Sequence, residues 1–342
     1  MIQQYFARAA EAAARAETST NRVDRDFVIA GLRARLSFCG PALVDPLTRA
    51  LGHLAAPPDD TPADLHLTLW DGATTGIDAP APPWSTDDYI RRGEIRDYHD
   101  ERYRAAFSIP GTILMLYDIA AHRGLYWTRD ARCLPSYEIG APCRTPLGWW
   151  LAGHGRQPVH AAAVGTDRGC VLLAGKGGAG KSNTALSALA AGLSYLSDDY
   201  CVIGAEQPTV VYSLYRTGKI LDGDLPRVPT LAPFIANPGR TGDEKALFFF
   251  DDRLAPQLPL ARPLHAILIP RVVAAGPTAL RRATPAEALL AIAPSTTSLM
   301  PYAGGEVLRN LSRVVKNAPA FHLDLGRDPA PPVIAALLES LP

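Results

Sequence analysis

The sequence predicts an α/β protein of two domains, with a phosphate-loop core over residues 146–342 and a smaller α/β accessory or substrate-recognition domain over residues 1–145. Three observations predict it. Residues 170–174 are a short apolar run that enters a glycine-rich turn and then an amphipathic helix. Strand-like alternation and helical periodicity interchange along the chain, the pattern of layered α/β domains. A chain of 342 residues, 47% hydrophobic, also has the length for two domains and the apolar content for their cores.

Taken in order, Ile2 to Glu17 form an Ala-rich helix whose weak apolar face favours a solvated element over a docking one. FVIAGLRARLSF, residues 27–38, alternates as a strand; residues 41–54 read as a helix; LHLTLW, 65–70, is a clean period-two strand. The intervening AAPPDDTPAD and the later GIDAPAPPW are proline-rich linkers, where the missing N–H stops strands and helices alike. The charged run IRRGEIRDYHDERY, residues 90–103, interleaves signs without glycine cradles and reads as a solvated surface. Residues 113–117 and 124–128 are two further strands. PLGWWLAG, 146–153, is an apolar helix expected to pack Trp149 and Trp150 against the C-terminal core.

The core is organised around one stretch. Residues 170–174 form a buried strand that runs into Gly175, Lys176, Gly177, Gly178, Ala179, Gly180, Lys181 and Ser182, a complete G-x-x-x-x-G-K-[ST] loop followed by Asn183. The glycines let backbone N–H groups form an anion nest at the positive end of the next helix. Lys181 is then placed for the outer phosphates of ATP or another nucleoside triphosphate, and the Ser182 hydroxyl for a Mg²⁺ ion. Residues 184–191 supply the helix, with Ala185, Leu186, Leu189 and Ala190 on one face and Gly192 as its stop. Residues 193–196 read as a second strand that delivers Asp198 and Asp199 at its end. Adjacent carboxylates project differently, so one can hold a metal while the other receives a proton from an incoming hydroxyl.

His160, the GKGGAGKS loop and the Asp198–Asp199 pair, at this spacing, resemble the nucleotide core of HPr kinase/phosphorylase, a family related in fold to ATP-dependent phosphoenolpyruvate carboxykinase. The resemblance covers residues 160–203 and the rest of the C-terminal half in outline. It implies an HPr kinase-like fold, ATP and Mg²⁺ as cofactors, Asp198 as base towards a target serine, Asp199 beside the metal with Ser182, and His160 near the phosphates. The bifunctional enzymes carry a Glu-hydrophobic-Arg-Gly signature after the acid pair, whereas residues 210–219 here read VVYSLYRTGK. This departure leaves the reverse phosphorylase reaction, and HPr itself as substrate, without support. It turns the resemblance towards shortened relatives, such as kinases that phosphorylate a serine of lasso-peptide precursors. Two alternatives stay open: a kinase of serine or a sugar, and a nucleotide-binding regulatory protein without catalysis.

Transfer of a phosphoryl group depends on positioning and charge, so cations are expected beyond the acid pair. Arg216, Lys219, Arg240 and Lys245 are the candidates for phosphate or substrate contacts. Residues 246–250 read as a strand with core aromatics, and HAILIP, 265–270, as a central buried strand. Thr284, Pro285 and Glu287 cap and open a helix over 284–292. Residues 295–300 and 308–316 look helical and are candidates for a lid over the acceptor. Residues 321–325 form the last strand and 332–341 the closing helix.

Composition narrows the partners. Lys plus Arg equals Asp plus Glu at 34 each, which argues against broad nucleic-acid binding and against an anionic membrane partner. The five cysteines, Cys39, Cys133, Cys143, Cys170 and Cys201, lack C-x-x-C spacing and fit reduced thiols of a cytoplasmic protein. No run approaches the roughly 18 apolar residues of a membrane helix. A peptide or small-protein acceptor is the expected partner, and homo-oligomerisation is left open.

Overall fold

A computed structural model of the chain describes residues 1–58, 61–91, 93–108, 112–204, 206–302 and 304–341. It is a mixed α/β protein built on two mixed sheets. Two compact units divide the chain, one of residues 1–154 with 300–302 and one of residues 155–299 with 303–342. Asp59 and Asp60 of the first linker and Arg92 of the charged run lie outside the described residues.

The first unit opens with helix α1 (Ile2–Ser19) and a hairpin of strands β1 (Arg22–Ile29) and β2 (Leu32–Cys39). The region expected as one strand is thus a hairpin, because Ala30 and Gly31 both adopt positive φ and make a two-residue turn between Ile29 and Leu32. Helix α2 (Val44–Thr48) continues as a 3₁₀ turn over Arg49–Leu54, in place of the single helix expected at 41–54, and β3 (Ala55–Ala56) follows. Strand β4 (Leu65–Asp71), the short helix α3 (Gly72–Thr75), β5 (Tyr89–Arg91), β6 (Glu94–His99), β7 (Tyr103–Ser108), β8 (Ile113–Asp118) and β9 (Arg123–Thr128) complete a sheet of order β3-β1-β2-β4-β9-β8-β7-β6-β5. Helices α4 (Ser136–Gly140) and α5 (Arg144–Gly153) close the unit.

Two expectations change here. Helix α1 is docked, not solvated: Ile2, Tyr5, Ala9, Ala12, Ala13 and Ala16 are buried in a cluster with Trp70, Leu114 and Leu125 of the sheet. A stripe of alanines carries little hydrophobicity but lets helix and sheet approach closely. The charged run 90–103 keeps its solvated face, with Arg96, Asp97, His99, Asp100, Glu101 and Arg102 exposed, while forming β5 and β6 at one end of the sheet and turning Ile95 and Tyr98 into the core. Helix α5 belongs to the first unit and packs on β8, so the boundary falls after His154 and not before Pro146. Trp150 there is fully buried, and Trp149 Nε1 donates to the Pro301 carbonyl at 2.9 Å.

The second unit carries β10 (Gln157–Val159), β11 (Ala162–Gly165), β12 (Cys170–Leu173), helix α6 (Lys181–Ala190), β13 (Ser194–Ser197), β14 (Cys201–Ile203), β15 (Val210–Ser213), β16 (Thr217–Ile220), β17 (Ala246–Phe249), β18 (Ala261–Val272) and β19 (Ala279–Ala283). Helices α7 (Pro285–Leu299) and α8 (Gly305–Asn317), strand β20 (Ala320–Leu325) and helix α9 (Ala330–Ser340) finish it. The sheet runs β10-β14-β15-β18-β12-β11-β13, with β20 beside β18 and β19 beside β20; β12, β18 and β20 are parallel.

Strand periodicity sorts the core into two layers. Val171, Leu173, Ala266 and Leu268 pack with Leu186 and Leu189 of α6 and Ile334 and Leu338 of α9. Cys170, Leu172, Ala174 and Ile267 face the other way, against Ile292 of α7 and Leu311 and Val315 of α8. Residues 284–292 and 295–299 form one helix through Pro294, opened by the expected capping box of Thr284 and Glu287. Helices α7 and α8 are therefore a core layer of the sheet and not a lid.

Candidate active site

Strand β12 ends at Leu173, and the chain turns through residues 174–180 before α6 begins at Lys181. The turn needs its glycines for identifiable reasons. Gly178 and Gly180 hold φ of +78° and +99°, and a Cβ at Gly180 would lie 2.6 Å from Leu325 Cδ1. A Cβ at Gly177 or Gly178 would meet nothing within 4 Å, so the outer rim of the loop is open space. Lys181 is buried and its ammonium spans the loop, donating to the carbonyls of Gly175 at 2.8 Å and Lys176 at 3.3 Å. Burial lowers its pKa, against the pull of Asp199 and Asp198.

The acid pair meets the start of this helix. The Ser182 hydroxyl donates to Asp198 Oδ1 at 2.9 Å, and the Asp199 backbone N–H reaches the same oxygen at 2.9 Å. The Lys219 N–H donates to Asp198 Oδ2 at 3.2 Å. Asp198 is only 3% exposed. Burial first, and the neighbouring charge of Asp199 second, raise its pKa to about 7. Asp199 stands differently: its side chain is 30% exposed and its Oδ1 lies 3.4 Å from His160 Nε2. Burial would raise its pKa, but the His160 hydrogen bond and the charges of Lys219 and Lys245 outweigh that and hold it below the usual carboxylate range.

The backbone aims these two carboxylates apart. Asp199 has φ +61°, a left-handed conformation uncommon outside glycine, and the Tyr200 N–H closes the turn on the Asp198 carbonyl at 2.7 Å. His160 lies between β10 and β11, with its N–H on the hydroxyl of Thr296 in α7 at 3.1 Å and its ring 5.7 Å from that of Tyr200. Its Nδ1 is buried with no hydrogen-bond partner among the described residues.

The four candidate cations divide. Lys219 and Lys245 act electrostatically on Asp199, and Lys245 also on Lys181, which places both near the acid pair. Arg216 instead points to Asp252 at 3.4 Å and to the Leu258 carbonyl at 3.2 Å. Arg240 is held by Asp222 at 2.6 Å and by the Asn237 carbonyl at 3.1 Å. Sequence reasoning missed Thr296 and Tyr200, whose types carry no motif, and the Lys219 backbone as a support for Asp198. It also missed why Gly218 precedes that lysine: a Cβ there would lie 2.7 Å from Leu186 Cδ2 of α6.

Chemically, the Ser182 hydroxyl and the Asp198 carboxylate are hard oxygen donors of the kind Mg²⁺ takes, and they are the residues that could hold such an ion. Among the described residues no group of three or more His, Cys, Asp or Glu side chains is placed to hold a metal alone. Nor is any described helix long and apolar enough to cross a membrane.

No family model matches the chain, and no curated protein matches it. Among solved structures it is similar to the Hpr(Ser) kinase/phosphatase from Coxiella burnetii, at 11% sequence identity and a TM-score of 0.31, over 54% of this chain and 94% of that one.

Proposed function

We propose that this protein is an ATP-dependent kinase that transfers the terminal phosphoryl group to an alcohol, with a serine of a peptide or small protein as the acceptor. One observation carries the reading: two adjacent carboxylates at the loop differ in environment, Asp198 buried on Ser182 and Asp199 partly exposed on His160. A protein that only senses a nucleotide has no need of the second, outward acid.

The same observation supports a division of roles that reverses the order implied by the family resemblance, in which Asp198 is the base and Asp199 lies beside the metal. Asp198 shares its oxygen with the Ser182 hydroxyl and so stands on the metal side. A bound Mg²⁺ would neutralise phosphate charge there and draw electrons from the breaking bond. Asp199 is the base: it takes the proton of the acceptor hydroxyl as that oxygen bonds to phosphorus and ADP leaves. His160 fixes the Asp199 carboxylate, and Lys181, Lys219 and Lys245 offset the negative charge gathered at the loop.

Mass spectrometry of a serine-containing peptide pool incubated with the protein and MgATP tests this. Phosphorylated hydroxyls are expected, and Asp199→Asn is expected to lower their formation by about 10² to 10⁴ while ATP still binds. Undiminished transfer by Asp199→Asn, or no phosphorylated hydroxyl with any acceptor, would overturn the proposal.

A further inference from the structure

Phosphates bound at residues 175–182 account for only half of a nucleotide, and the structure holds a second feature of the right size beside them. A cleft of about 810 Å³ borders Gly180, Asn183 and Ser187 of the loop and α6. Ser182 points to Asp198, so on the phosphate-binding reading the terminal phosphate would lie on that flank of the helix. Asn183 and Ser187, one helical turn apart, line the other flank, which is open to the nucleoside end. The opposite wall is Val272 and Leu325, the last residues of β18 and β20. Both strands run parallel to β12, which feeds the loop, so the cleft lies at the carboxyl ends of parallel strands, where open α/β sheets place their ligands. Its volume falls in the range of small-molecule sites, about 300 to 1,000 Å³.

The lining is of two kinds. Val272 is 72% exposed, a large apolar side chain left in water at the mouth of a cleft. Arg327 and Asp328 follow Leu325, and among the described residues no hydrogen bond or ion pair occupies their side chains; the Arg327 N–H and the Asp328 carbonyl are spent on Gly276 and Thr278. We infer that this cleft holds the nucleoside of the nucleotide, with an amino-bearing purine against Val272 and Leu325 and its exocyclic amino group donating to the Asp328 carboxylate. The inference rests on the phosphate-binding reading of residues 175–182 and adds to it the residues that choose the base.

Calorimetric titration of the full chain with MgATP, MgGTP and magnesium tripolyphosphate tests it. One or both purine nucleotides are expected to bind at least about tenfold more tightly than tripolyphosphate. Val272→Gln with Asp328→Asn is expected to remove most of that margin. Tripolyphosphate affinity should stay the same or rise, since a negative charge is lost near an anion. Val272 is exposed, so its exchange leaves the fold intact. Equal affinity of tripolyphosphate and both nucleotides, or an equal loss for all three in the double variant, overturns the inference and leaves the phosphate site standing. Binding of none of the three overturns the phosphate site as well.

Discussion

At the scale of single residues, Asp198 is a buried acid that costs the fold stability once it ionises. In the unfolded chain its carboxyl ionises near 3.8, and in the fold burial and the charge of Asp199 raise it to about 7. Between those values the folded protein keeps a proton that the unfolded chain has lost, so rising pH favours unfolding across that window. The penalty is absent below about pH 4, complete above about pH 7, and on the order of a few kcal/mol. Asp198→Asn is therefore expected to raise the melting temperature of the ligand-free protein at pH 8 and to leave it nearly unchanged at pH 4. The same variant is expected to bind Mn²⁺–ADP more weakly, which electron paramagnetic resonance reads directly. A loss of stability at pH 8 would show instead that the three hydrogen bonds received by Asp198 outweigh its charge. That the loop and the two acids lie together was legible in sequence because only one helix and one short strand separate them. Their different surroundings were not, since these depend on a positive φ at Asp199 and on which oxygen faces Ser182.

Among the elements, α1 and the loop-to-α6 junction carry the clearest consequences. Ala9 and Ala12 are 0% and 1% exposed, so Ala9→Glu places an unpaired carboxylate against the first sheet and is expected to cost about 3 kcal/mol or more. Glu11→Gln on the exposed face is expected to change the thermal melt little. Equal behaviour of the two variants would return α1 to the solvated role that its weak apolar face suggests. Gly180→Ala combines a strained φ with a 2.6 Å approach to Leu325 and is expected to cost about 1 to 3 kcal/mol. Urea denaturation measures it. Element type was readable wherever periodicity was long, as in β4, β9 and β18. It failed at the β1–β2 turn, where alternation continues through Ala30 and Gly31, and in β10, β11 and β19, which are too short or too polar to signal. The docking of α1 was hidden because alanine gives a narrow hydrophobic signal while permitting close contact.

For the molecule as a whole, sequence reasoning separated two α/β units but placed their boundary before the tryptophan-bearing helix α5. Only packing assigns that helix to β8 and adds residues 300–302 to the first unit. Tyr302 donates its hydroxyl to the Ala105 carbonyl at 2.6 Å and the Ile95 carbonyl at 3.1 Å, pairings 197 and 207 residues apart that no local pattern announces. Nucleotide is expected to act on the second unit alone. MgATP should slow amide hydrogen exchange in residues 175–184, 196–200 and 325–331 and leave residues 22–39 unchanged. Protection confined to the first unit would remove the site from the loop. On the proposed function, the loop and the two acids converge on one magnesium-bound nucleotide. A crystal structure with Mg²⁺ and a non-hydrolysable ATP analogue measures this directly. The ion is expected on the Ser182 hydroxyl and beside Asp198, with the Asp199 carboxylate facing the terminal phosphate. A nucleotide bound elsewhere, or phosphates on the loop with Asp199 turned away from them, would contradict it.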